Sequence, residues 1–231
     1  MAQKTNPISL KLGKYQVWDS ISQNYGKTYI YYSKVLHNYL QFKIYLNRIF
    51  FFYNFVLNYT EWFILKQKVY LNIYYSDTTF SESSQFLKMQ KEIQKAIPKF
   101  LLLKSCVRFY LKISISSISM FLMFYTQYLL KRDIALLKIM NNIYKILNSC
   151  LNLVKVSYSK NGPIRIKLIG FKIRLAGRFD NSRNQMAKVS KLSLGQLSLT
   201  SLNYYMEYSK KDIFTKFGTC GLQIWLFYEK Y

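Results

Sequence analysis

From Ile164 to Arg178 the chain reads IRIKLIGFKIRLAGR, directly after an Asn161-Gly162-Pro163 turn. Lys172, Arg174 and Arg178 share one parity of this run, and Ile173 and Leu175 share the other. Successive side chains of a strand point to opposite faces, so the run predicts a strand that is buried on one side and cationic on the other. Such a strand constrains the fold to a sheet packed on one face only.

The charge extends well beyond this strand. The chain carries 34 Lys and Arg against 10 Asp and Glu, a net charge of +24, and 51% apolar residues supply a core. Residues 101–160 hold one acid, Asp133, against nine Lys or Arg, and the flanking thirds are also basic. An excess this large repels itself in isolation and implies an acidic partner. Nucleic acid is the first candidate and an anionic membrane surface the second. Because the charge is spread over the whole chain, it suits a protein surrounded by phosphates. Abundant Phe, Tyr, Ile, Asn and Lys, with scarce Ala, Gly, Pro and Arg, point to an AT-rich and hence organellar gene.

Catalysis finds no support. Ten scattered acids form no adjacent carboxylate pair, and no nucleophile set assembles around the one histidine, His37, which reads as a packed residue. Cys106, Cys150 and Cys220 are odd in number and lack metal-ligand spacing, so buried free thiols are expected, with no metal and no cofactor. There is no G-x-x-x-x-G-K-[ST] phosphate loop, and Gly218-Thr219-Cys220-Gly221, just before a terminal strand, reads as a turn.

Ile113 to Leu130 is uncharged and about long enough to span a membrane, but Ser114, Ser116, Ser117, Ser119, Thr126 and Gln127 interrupt it. Its expected fate is part strand, part helix. The opening MAQKTNPISLKLG has neither the apolar run of a secretory signal nor the arginines of a transit peptide, so it reads as part of the mature chain.

Apolar spacing predicts a helix over Ser33–Arg48, strands over Phe50–Tyr59 and Lys68–Tyr75, and a polar connector at Ser76–Ser84. A helix through Phe86, Met89, Ile93 and Ile97 should end at Pro98, followed by a strand over Cys106–Ile115. Ile118–Cys150 is the longest helical signal, with room for one break. There Leu129, Leu136 and Ile143 recur every seven residues, and Lys131, Lys138 and Lys145 recur with the same period. The two rows lie about 200° apart on a helix, giving an apolar face opposite a lysine stripe with Arg132 beside it. Asp180–Lys191 reads as a basic loop and Leu222–Phe227 as the closing strand.

Several segments resemble one family. MAQKTNPISLKLG followed by Trp18 resembles the M-G-Q-K-x-N-P-x-x-x-R-L-G opening, and the nearby Trp, of ribosomal protein S three of the small subunit. GFKIRLAGRF (170–179), GQLSLTSLNYYMEY (195–208) and FGTCGLQIWLF (217–227) resemble that family's G-I-K-V-x-V-S-G-R-L, G-R-V-P-L-x-T-L-R-A-D-I-D-Y and Y-G-x-x-G-V-K-V-W-I-F. The resemblance implies an α+β chain. A degenerate type II KH-like domain at 15–117 would follow an rRNA-binding tail at 1–14. A C-terminal α/β domain at 118–231 would have long helices packed on a mainly antiparallel sheet. Two departures accompany it. No G-x-x-G falls near Ser76–Ser84, so KH-type clamping of an RNA backbone is expected to be lost. Lys131 and Arg132 match the first part of the family's messenger-facing cluster, but Leu136 and Leu137 stand where an arginine pair is expected.

The expected protein is therefore a non-enzymatic, rRNA-binding constituent of the mitochondrial small ribosomal subunit. It would sit in the head beside the channel by which mRNA enters, next to other head proteins, with no membrane insertion and no small-molecule substrate. RNA contact is expected from Lys4, Lys11 and Lys14 in the tail and from Lys131, Arg132, Lys138 and Lys145 on the helices. In the C-terminal region it is expected from Lys172, Arg174, Arg178, Arg183, Lys188 and Lys191. The initiator Met at the head of the family motif favours synthesis inside the organelle. A basic organellar membrane protein and an RNA-processing factor are the rival readings.

Overall fold

The computed structural model describes residues 6–13, 16–18, 20–22, 29–64, 68–77, 83–100, 104–111, 119–132, 134–159, 161–178 and 186–230. It divides into two compact units, one of residues 19–115 and one of residues 1–18 with 116–231. The opening segment thus belongs to the C-terminal unit.

The 19–115 unit contains β1 (Ser20–Ser22), α1 (Tyr29–Phe52), β2 (Phe55–Ile64), β3 (Lys68–Asp77), α2 (Ser83–Phe100) and β4 (Lys104–Leu111). The strands form one sheet in the order β1-β2-β3-β4. β2 and β3 are an antiparallel pair, while β1 runs parallel to β2 and β4 parallel to β3. Trp62, Leu71 and Val107 stand in register on the face that meets the helices. There Phe42, Leu46 and Phe50 of α1 and Met89, Ile93 and Ile97 of α2 complete the core.

Two expectations are corrected here. Phe50–Phe52 are helical rather than the start of a strand, because Phe42, Leu46, Ile49 and Phe50 continue one buried helical face. The chain turns only at Asn54, whose φ of 60° lies in the left-handed region that Asn tolerates. Pro98 lies inside the last turn of α2 instead of ending it. Phe100 beyond it packs against Phe42 and Tyr45 as tilted rings, with centroids 5.6 and 5.4 Å away.

The C-terminal unit contains α3 (Ser119–Lys131), α4 (Leu136–Ser149), β5 (Val154–Ser159), β6 (Gly162–Gly177), β7 (Lys188–Gly195), β8 (Tyr205–Thr215) and β9 (Gly218–Lys230). All pairings are antiparallel, in the order β5-β6-β9-β8. The long β6 carries β5 along its first half and β7 along its second. Lys188 and Lys191 therefore lie on a strand, not in the loop expected over Asp180–Lys191. The single helical signal is two helices, with Leu129, Leu136 and Ile143 all buried across the break. α4 docks on the sheet through Tyr144 against Phe171, with centroids 5.5 Å apart. Among the described residues no helix is long and apolar enough to cross a membrane.

A bulge in β6 between Leu168 and Gly170 decides what each face of this sheet presents. Before it the buried residues are Ile166 and Leu168; after it they are Phe171, Ile173 and Leu175. The inward parity flips from even to odd, so every cation of the strand stays on the outer face. Gly195 of β7 closes against the bulge at φ 78°, where a Cβ would collide with the Ile169 carbonyl.

Candidate nucleic-acid interface

Strand register assembles the outer face row by row. Tyr208, Trp225, Lys172 and Ser193 form one row across β8, β9, β6 and β7. The next holds Lys210, Gln223, Arg174 and Lys191. Arg174 and Lys191 are direct cross-strand partners, a like-charge pairing that destabilises a sheet on its own. No acid stands in either row; Asp212 is one row further on. Such a surface is electrostatically incomplete without an anion.

Aromatic rings and partly buried donors shape it. Trp225 and Tyr208 pack with centroids 5.4 Å apart, and the Lys172 ammonium lies 5.6 Å from the Trp225 centroid. The Arg174 Nη1 donates to Gln223 Oε1 at 3.4 Å, and its buried Nε has no acceptor among the described residues. Burial raises the Tyr208 hydroxyl pKa, a shift that the Arg174 charge opposes, so the hydroxyl stays a donor at neutral pH. Arg165 and Lys167 share the outer side of β6 before the bulge.

The opening segment bounds this face. Asn6 Oδ1 accepts the Ile8 amide at 3.0 Å, a helical turn follows, and Gly13 at φ 77° lets its amide reach the Gln16 carbonyl at 2.9 Å. Lys11 Nζ donates to the Tyr204 carbonyl at 2.8 Å and Gln16 Nε2 to the Met206 carbonyl at 2.5 Å. Met206 and its partner Phe227, on the outward parity of their strands, are only 1% exposed at this end. Lys11 itself is 0% exposed. The expectation that it reaches RNA is corrected, since its ammonium is spent on a backbone acceptor inside the fold.

The other expected residues sort by position. Arg132, just past α3, packs its guanidinium 4.5 Å from the Tyr128 ring centre and donates to the Tyr128 hydroxyl. Lys138 and Lys145 are exposed on α4. The break between helices separates them from Lys131, so the seven-residue row does not run along one helix. Arg178 lies beyond Gly177, its guanidinium 5.7 Å from the Phe217 ring centre, and leaves the strand parity assumed for it. Lys188 pairs with Gly177 and so points to the opposite side of β7 from Lys191. Lys4, Lys14, Arg183 and the Lys131 side chain lie outside the described residues. Lys210, Trp225 and Tyr208 are additions that only strand pairing reveals.

Three bland expectations also change or stand. Cys150 and Cys220 are buried thiols, but Cys106 is exposed. His37 is exposed on α1 and shares a hydrogen bond with Gln41 at 2.8 Å, so it is not a packed residue. Gly218-Thr219-Cys220-Gly221 open β9 instead of forming the turn expected of them; the turn falls at Lys216 and Phe217, with Thr215 facing Gly218 across the hairpin end.

No protein-family model matches the chain. The small ribosomal subunit protein uS3m of Chondrus crispus is 42% identical over 228 residues, covering 99% of this chain and 94% of the relative. The small ribosomal subunit protein uS3 of Carsonella ruddii is 24% identical over 236 residues, covering 98% and 97%. That of Cytophaga hutchinsonii is 29% identical over 66 residues, 29% of this chain and 25% of the relative. Identity of this level along nearly the full length of both chains, in a sequence that carries the opening and closing segments quoted above, leads to one conclusion: the chain belongs to the uS3 family of small-subunit ribosomal proteins, as a mitochondrial member.

Proposed function

We propose that this protein binds rRNA in the head of the mitochondrial small ribosomal subunit, near the channel by which mRNA enters. Membership of the family makes it a structural ribosomal constituent and not an enzyme. The observation that carries the RNA reading is the outer face of the C-terminal sheet, where Lys172, Arg174, Lys191 and Lys210 crowd together without an acid in their rows. Binding is electrostatic and shape-based: the cations neutralise phosphates, and the sheet fixes their spacing. Trp225 and Tyr208 add flat surfaces on which a base or ribose can rest.

The order α1-β2-β3-α2-β4, with an antiparallel pair followed by a parallel one, supports reading the 19–115 unit as KH-like. Contact with mRNA would rest on Arg132, because Leu136 is buried in the core of its unit. Neighbouring head proteins complete the set of partners. Lys4, Lys14, Lys131, Arg178, Arg183, Lys188, Lys138 and Lys145 remain secondary phosphate contacts in this proposal.

Sedimentation of a mitochondrial lysate at low and high salt tests the reading. The protein should travel with the small subunit at low salt and be progressively released as salt rises. A protein that sediments apart from the subunit even at low salt overturns it.

A further inference from the structure

The 19–115 unit has a second open surface. Its helices α1 and α2 pack on one face of its sheet, and among the described residues none of its elements packs on the other. Across that outer face Tyr59, Tyr74 and Tyr110 stand in register on β2, β3 and β4. Their rings stack: Tyr59 and Tyr74 have centroids 4.2 Å apart at 16°, and Tyr74 and Tyr110 have centroids 5.1 Å apart at 21°. Glu61 Oε2 accepts from the Tyr74 hydroxyl and from Asn72 Nδ2, each at 3.2 Å, which holds the middle ring upright and engages this carboxylate within the face.

β4 is the edge strand, so Tyr110, 39% exposed, ends the ladder. Arg108 lies two residues before it on the same face, exposed, and Lys104 and Lys68 are exposed and in register at the start of β4 and β3. Residues two apart on a strand are about 6.6 Å apart, comparable to the step between phosphates of an extended nucleic-acid strand. Phe63 and Tyr70 continue the aromatic surface in register with the exposed Cys106.

We propose that this face binds single-stranded RNA, an unpaired base stacking on Tyr110 as the next member of the ladder while Arg108 and Lys104 meet the flanking phosphates. A stack of aromatic rings edged by cations is the arrangement that proteins use for unpaired bases, because every base has a flat face and every nucleotide an anion. A protein partner would find hydroxylated rings and charges here, with little aliphatic surface to bury. The inference is independent of the basic face of the C-terminal sheet and supplies RNA contact in a unit that lacks the glycine loop of a KH clamp.

The test uses the full chain, a short single-stranded oligouridylate and a duplex of equal length, read by fluorescence anisotropy. Tyr110→Ala should weaken single-strand binding about tenfold and leave duplex binding unchanged, whereas Tyr110→Phe keeps the ring and should stay within about twofold of the parent. Arg108→Ala should weaken single-strand binding in the same direction. Unaltered affinity in Tyr110→Ala, equal losses in the Ala and Phe variants, or equal losses on single strand and duplex would each overturn the proposal. So would unchanged RNA affinity together with loss of a neighbouring protein from subunits reconstituted with Tyr110→Ala. Substitutions at Lys172 and Arg174 should lower binding to both RNAs, so a failure of the basic face is separable from a failure of the ladder.

Discussion

Replacing Lys172, Arg174, Lys191 and Lys210 together with Ala removes the cationic rows of the C-terminal sheet while sparing its core. All four lie on the outer face, and the substitutions remove the hydrogen bond from Arg174 to Gln223 at 3.4 Å. Stability should change by no more than about 1 kcal/mol, partly because the opposed Arg174–Lys191 pair no longer repels. Each phosphate neutralised contributes about 0.7–0.9 to the slope of log K against log salt. The variant should therefore show a slope shallower by about 3, and its deficit relative to the parent should shrink by about two decades between roughly 50 and 200 mM salt. Anisotropy titrations of a small-subunit rRNA fragment across that range read the slope directly. A parallel variant lacking Lys138 and Lys145 on α4, secondary contacts in this reading, should change the slope by less per lysine. An unchanged slope in the quadruple variant, or an equal change per lysine in the helix variant, would refute the assignment of this face.

Glu207 of β8 accepts the Ser119 amide at 3.2 Å at the start of α3, pairs with Lys155 of β5 and accepts from the buried Tyr228 hydroxyl at 3.4 Å. α3 has no acid in its first turn, so this carboxylate serves its N-terminus from another strand. Urea titration should show Glu207→Ala losing about 3 kcal/mol and Glu207→Gln about half that, with Lys155→Ala and Glu207→Ala non-additive. Lys11→Ala should leave the Tyr204 carbonyl without its donor, costing about 1–3 kcal/mol, and speed hydrogen exchange at the Gly13 and Gln16 amides. Gly195→Ala should cost about 3 kcal/mol in thermal unfolding, combining a left-handed φ with collision at the Ile169 carbonyl. Burial, reinforced by Glu207, holds the Tyr228 pKa well above its ordinary 10.0. The unfolded chain then loses this proton first, so stability should fall as pH rises past about 10, and Tyr228→Phe should flatten that limb. Lys11 and Lys211, whose pKa values burial lowers, act in the opposite sense over the range below their ordinary 10.5.

Much of this architecture was legible because burial leaves a periodic trace. The apolar row Leu129, Leu136, Ile143 survives the break between α3 and α4, since both helices turn that row toward the same core. The extended parity of Lys172 and Arg174 against Ile173 and Leu175 is likewise what the sheet shows. Phe50–Phe52 were illegible as helix because strand propensity describes half-buried aromatics in general, and tertiary packing along α1 overrode it. β7 was hidden for the opposite reason. KVSKLSLG is exposed or half-exposed at every position, so no apolar face marks it, and only its hydrogen bonds to β6 define it. Lys11 misled because a lysine in a polar stretch carries no sign that its stem is buried and its ammonium bound to a carbonyl.

The basic face shows why charge count and charge position part company. A strand that kept strict alternation from Ile164 to Arg178 would have divided its cations between both faces, because Arg165 and Lys167 are odd-numbered while Lys172 and Arg174 are even. The bulge at Ile169 inserts one residue, and the glycine pair Gly170–Gly195 lets β7 close over it. Every buried position then stays apolar and every cation stays outside. Desolvating even one of those charges without a partner would cost several kcal/mol, so the bulge is part of what makes so basic a strand compatible with a core. The same shift concentrates positive charge on one surface, which is repulsive for the isolated protein and favourable beside phosphate. Folding and RNA binding therefore place the same demand on this strand, and deleting Ile169 should damage both by turning Arg165 and Lys167 toward the helices.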